Sequence, residues 1–64
     1  MKICIKTYNG ELPSYLTVGK VYDCFHEKIH GINFYEIISD NGRLKSIIFD
    51  KCEHLNGGSW EVVE

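Results

Sequence analysis

The chain reads as an all-β domain: a small, strongly bent five-stranded barrel with one short helical turn before its last strand. Three observations carry that expectation. Short segments alternate apolar and polar residues with the period of a strand. Turn-forming pairs such as Asn9-Gly10, Pro13-Ser14 and Asn41-Gly42 punctuate them. No segment keeps helical apolar spacing over a helix-forming length. With 64 residues the chain is expected to form a single domain over residues 1–64. A chain of this size buries only about 60% of its unfolded surface. Curling into a barrel hides edges that a flat sheet would expose.

The first strand is "MKICIKTY", with Met1, Ile3 and Ile5 on one face and Lys2, Cys4 and Lys6 on the other. "NGELPSYLTVG" follows as a long irregular loop, with Leu12, Tyr15, Leu16 and Val18 available to hold it down. Loops this long are uncommon in compact domains unless they pack on themselves or serve a function. "KVYDCFHE" is the second strand. Asp23 facing water sets Tyr22 and Cys24 inward and Phe25 outward. "KIHGI" breaks that strand at Gly31. "NFYEIIS" is the third, with Tyr35 and Ile37 inward and Phe34, Glu36 and Ile38 outward. Asn41-Gly42 predicts a tight hairpin, because both residue types accept a positive φ. "RLKSIIFD" is the fourth strand, "KCEHLNGG" holds a helical turn and "SWEVVE" is a short fifth strand.

Composition narrows the function. Hydrophobic residues make up 44% and charged residues 25%, as in ordinary globular domains. The net charge of −2 supplies no drive for neutralising phosphates, so nucleic acid is a disfavoured partner. Lys2 and Lys6 interrupt the only apolar start, so no secretory signal is expected. No apolar run is long enough to span a membrane. Three cysteines without regular spacing point to a reduced, cytoplasmic protein rather than a disulfide framework.

The candidate chemistry is sparse. Cys52 and His54 stand two apart, and Cys4, Cys24, His26 and His30 lie elsewhere, without the paired spacing of structural zinc sites. Cys24 and His26 share a strand face, but i and i+2 positions lie about 6.5–7 Å apart, beyond a nucleophile–base contact. Gly57-Gly58 lacks the lysine and following helix of a phosphate loop. No catalytic residue, metal or cofactor is expected. The eight aromatics are the informative group. Tyr22, Tyr35 and Phe49 are expected in the core. Phe25, Phe34 and Ile38 then form an outward apolar patch of the kind that marks partner sites. Tyr8 and Tyr15 flank the long loop as further contact residues. Trp60, in the tail, is a further candidate partner contact, unless the tail that carries it covers the Phe25/Phe34 patch.

The order of strand, long loop, Leu16-Thr17-Val18-Gly19-Lys20-Val21-Tyr22, Asp40-Asn41-Gly42 hairpin and Phe49-Asp50-Lys51-Cys52-Glu53 turn resembles a Src-homology-3-like barrel. More narrowly, it resembles the tiny domains of that build carried by phages and prophages. The resemblance spans roughly residues 1–54, leaving residues 55–64 as a C-terminal extension or extra strand. The paired tryptophan and proline-binding groove of signalling Src-homology-3 domains are not matched: Trp60 stands alone, and the start "CIKTYNG" keeps only Tyr8. The resemblance implies a non-enzymatic phage accessory module in the host cytosol that binds and occludes a host protein. The alternative is a small nucleic-acid-binding barrel. A homo-oligomer joined through the C-terminal strand is a further expectation.

Overall fold

The computed structural model describes residues 1–64. All five strands join one antiparallel sheet in the order β4–β3–β2–β1–β5, with β1 at Lys2–Thr7, β2 at Tyr22–Ile29, β3 at Ile32–Ile38, β4 at Leu44–Ile47 and β5 at Ser59–Val62. A single 3₁₀ turn, Glu53–Leu55, precedes β5. No helix is long and apolar enough to cross a membrane.

β2 is shared between two neighbours. Tyr22 and Asp23 pair with β1, and everything from Cys24 onward pairs with β3. Tyr22, Cys24, Ile3, Ile5 and Ile37 are buried, as alternation predicts. The long loop is held down by Leu16, which is buried, and by the half-buried Leu12 and Tyr15.

The expected closed barrel is corrected: β4 and β5 stand at opposite edges of the sheet and do not pair. Both are only four residues long, and residues 48–58 connect them. One backbone bond, from Trp60 N–H to the Phe49 carbonyl at 2.8 Å, ties β5 to the chain leaving β4. Within residues 55–64, Leu55 closes the 3₁₀ turn and Ser59–Val62 form the edge strand β5. β5 pairs with β1 from Ile3↔Val62 to Thr7↔Ser59, and Leu55 and Trp60 belong to the core.

The tight hairpin expected at Asn41-Gly42 forms elsewhere. At Asn41-Gly42 only Gly42 is left-handed, at φ 78°. Gly42 N–H bonds to the Ser39 carbonyl and Ser39 N–H to the Arg43 carbonyl, both at 2.9 Å. That is a three-residue loop closed by a left-handed glycine, not a two-residue one. The tight two-residue turn is instead His30-Gly31, between Ile29 and Ile32, with φ values of 51° and 78°. Two left-handed residues match the twist of the flanking strands. Histidine tolerates that region less well than asparagine. His30→Asn is therefore expected to stabilise the chain by about 0.5 kcal/mol, a rise of about 3 °C in melting temperature. Calorimetry checks it; a fall in melting temperature would contradict the turn assignment.

The β2–β3 hairpin projects from the body. Every residue from Phe25 to Phe34 is exposed, and the molecule measures 34 × 22 × 21 Å. The arm is amphipathic: Phe25, Glu27, Ile29, Ile32 and Phe34 share one face, with His26, Lys28 and Asn33 on the other.

Candidate functional site

The outer face of β2, β3 and β4 is the candidate site, and register builds it. Phe25 stands opposite Glu36, Glu27 opposite Phe34 and Ile29 opposite Ile32. Glu36 then meets Ser46, and Ile38 meets Leu44. Because opposed residues in an antiparallel pair share a face, all of these point the same way. Phe25, Phe34 and Ile38 are 49%, 47% and 44% exposed, although large apolar side chains are the ones folding most favours burying. Ile29, Ile32 and Leu44 are exposed on the same face, and Ile48 continues it beyond β4. A concavity of about 420 Å³ indents this surface among Phe25, Glu27, Glu36, Ile38 and Leu44. A second, of about 480 Å³, opens at its margin past the end of β4, where Ile32, Phe34 and Ile48 meet the 3₁₀ turn together with Asn33 and Tyr35 of the other face.

Phe25, Phe34 and Ile38 are thus brought together as expected, and Trp60 is not. Trp60 is 4% exposed and lies in the core. Its ring meets Tyr22 edge-to-face at 5.8 Å, and its indole N–H donates to Cys52 Sγ at 3.3 Å. This corrects its expected role as a partner contact. It also answers the tail-cover alternative: β5 lies beside β1, with β2 between β1 and β3, so the tail does not cover Phe25 or Phe34. Tyr8 is exposed at the end of β1, but lines neither concavity. Tyr15 is half-buried and structural: its hydroxyl bonds to His54 Nδ1 at 2.7 Å, and Lys45 Nζ sits 4.8 Å above its ring. His54 Nε2–H in turn donates to the Ser46 carbonyl at 2.9 Å, which covers part of the free edge of β4.

Sequence reading missed Ile29, Ile32, Leu44 and Ile48, and the two glutamates among them. A signal was present. Outward positions 25, 27 and 29 alternate Phe-Glu-Ile, and 32, 34, 36 and 38 read Ile-Phe-Glu-Ile. A solvated strand face carries few such residues.

The other titratable groups serve the scaffold. Cys24 is buried, and that burial pushes its thiol pKa up. Burial first, then the Glu61 carboxylate 3.6 Å away, raises that of Cys4. Such thiols are poor nucleophiles. His26 Nε2 is 2.7 Å from Asn33 Oδ1, and its ring stacks on Tyr35. No three His, Cys, Asp or Glu side chains converge as metal ligands.

Asp40 fastens the long loop to the β3–β4 hairpin. Its carboxylate accepts from Lys20 Nζ at 2.6 Å, Thr17 Oγ1 at 2.7 Å and Tyr22 Oη at 2.9 Å. Its backbone N–H donates to the Tyr15 carbonyl at 2.9 Å. Lys20 first, then Thr17 and Tyr22, hold its pKa below the ordinary 3.8. A carboxylate whose folded pKa is lowered stabilises the fold above that ordinary value, and the contribution is lost as pH falls through the folded pKa. Asp40→Asn is expected to destabilise the chain at neutral pH and to flatten the acid limb of its stability profile. Denaturation midpoints measured against pH check this; parallel profiles for the two proteins would sink it.

No family model, curated protein or solved structure matches the chain.

Proposed function

We propose that the chain is a non-enzymatic binding module that docks on another protein through the outer face of β2–β3–β4. The observation that carries this is the sharing of one uncovered face by Phe25, Phe34, Ile38 and their apolar neighbours. Apolar surface gathered in one place on a small monomer marks an interaction site more often than scattered single residues do. Docking such a face can act by occlusion, with the module covering a functional surface of its partner. A Src-homology-3-like build is part of the proposal. The strand order, the β2 strand shared by two neighbours and the 3₁₀ turn before β5 support it. The phage or prophage origin and the bacterial host partner rest on the sequence resemblance. Action in the host cytosol fits the three free cysteines, two of them buried as thiols. A nucleic-acid-binding role has less support: Lys2 and Lys20 are engaged by Asp23 and Asp40, and the apolar face carries acids.

The test is Phe34→Asp. Phe34 is 47% exposed, so the variant is expected to fold with an unchanged spectrum and melting temperature within about 1 °C. A protein captured by the native chain from bacterial lysate, then purified, is expected to bind the native chain and to lose binding to the variant. Undiminished binding by a folded Phe34→Asp chain rules this face out.

A further inference from the structure

We propose that the outer face of β2–β3–β4 selects a partner protein whose contact surface is apolar with arginine or lysine set within it, and that Glu27 and Glu36 make the selection. The inference rests on the docking role of this face and adds the chemistry of the partner.

Glu27 and Glu36 occupy diagonal positions across the β2–β3 pair, since Phe25 opposes Glu36 and Glu27 opposes Phe34. Diagonal positions lie about 7–8 Å apart, within reach of one cationic head group. Both acids line the concavity of about 420 Å³ walled by Phe25, Ile38 and Leu44. Neither has a cation of its own: the chain's ion pairs are Lys2–Asp23 and Lys20–Asp40. Lys28 and Lys45 belong to the opposite face by alternation, and Lys51 stands at the margin, against the neighbouring groove.

Any partner that covers the apolar side chains must also cover these carboxylates. A purely apolar partner would strip their water and return nothing. A second copy related by a two-fold axis would set the carboxylates against their own kind. An anionic membrane surface would repel them. A guanidinium meets every requirement. It gives a carboxylate two parallel hydrogen bonds, stacks on an aromatic ring such as Phe25, and sheds water more readily than an ammonium.

Two synthetic amphipathic peptides with the same leucine pattern test this. One carries arginine at the polar positions and the other the neutral isostere citrulline. Each is titrated into the isotope-labelled chain and followed by amide chemical shifts. The arginine peptide is expected to shift β2–β4 amides and to bind at least about tenfold more tightly than the citrulline peptide. The Glu27→Gln/Glu36→Gln double variant is expected to bring the arginine peptide down to the citrulline level. Glu61→Gln, at the other edge of the sheet, is expected to leave it unchanged. Equal binding of both peptides to the native chain overturns the charge selection while leaving the face as a docking surface. Binding of neither overturns the selection and counts against the docking role as well. Self-association of the native chain through this face, or binding to phosphatidylserine vesicles that the double variant also shows, overturns the proposal in favour of those occupants.

Discussion

Gly58→Ala is expected to leave the chain largely unfolded. Gly58 is buried and bridges Cys52. A methyl group there would run into the Thr7 carbonyl, with the Thr7 carbonyl carbon and Tyr8 Cα both 2.7 Å away. Those neighbours are backbone atoms at the end of β1, where the β1–β5 register shifts between Ile5 and Thr7. A side chain could swing aside, but this backbone is held by its own ladder. Ordinary overpacking of a core costs about 1–3 kcal/mol, and a clash this close with backbone that cannot swing aside lies above that range. A domain this small has a stability of only about 3–5 kcal/mol. The displacement would also separate β1 from β5 and reach Trp60 in the same strand. Amide dispersion and a denaturant titration decide the outcome; a native-like spectrum with an unchanged midpoint would refute the close approach.

The second large effect is at Trp60. Trp60→Ala removes the largest core side chain, its edge-to-face contact with Tyr22 and its bond to Cys52. Truncation of a buried tryptophan costs about 3–5 kcal/mol, comparable to the whole stability of such a domain. The variant is expected to lose cooperative unfolding, read by circular dichroism rather than by the fluorescence it no longer has. Trp60→Phe keeps most of the apolar volume and is expected to retain the fold. The contrast with Phe34→Asp separates the two aromatics. Loss at Trp60 acts on folding, and loss at Phe34 acts on binding. A folded Trp60→Ala chain with a cooperative transition would contradict the core assignment.

The candidate site was legible to the extent that it depends on local alternation. Asp23 at the start of β2 sets the parity of the whole strand, so Phe25 had to face out once Tyr22 and Cys24 faced in. The same parity in β3 put Phe34 and Ile38 outward. Glu27 and Glu36 follow the same rule, but an isolated glutamate on a strand looks like ordinary solvated surface. Their meaning depends on which residues stand opposite them. The hairpins show the limit of local turn chemistry. Asn41-Gly42 is the stronger turn pair, yet the tight turn forms at His30-Gly31, and the pairing of Ser39 with Arg43 gives the other loop a third residue.

Alternation and turn residues were enough for the presence of five strands, the inward residues Ile3, Tyr22, Cys24 and Ile37, and the turn before β5, because these depend on neighbours close in the chain; the fourth strand, expected over residues 43–50, stops at Ile47. The edge positions of β4 and β5, the burial of Trp60 and the uncovered face around Phe25 and Phe34 were settled only by the folded chain. Each depends on contacts between segments far apart in sequence. β5 could have lain over the patch or beside β1, and its own residues suit either place. Pairing with β1 buried Trp60 against Tyr22 and Cys52, and it left the outer face of β2–β3–β4 open.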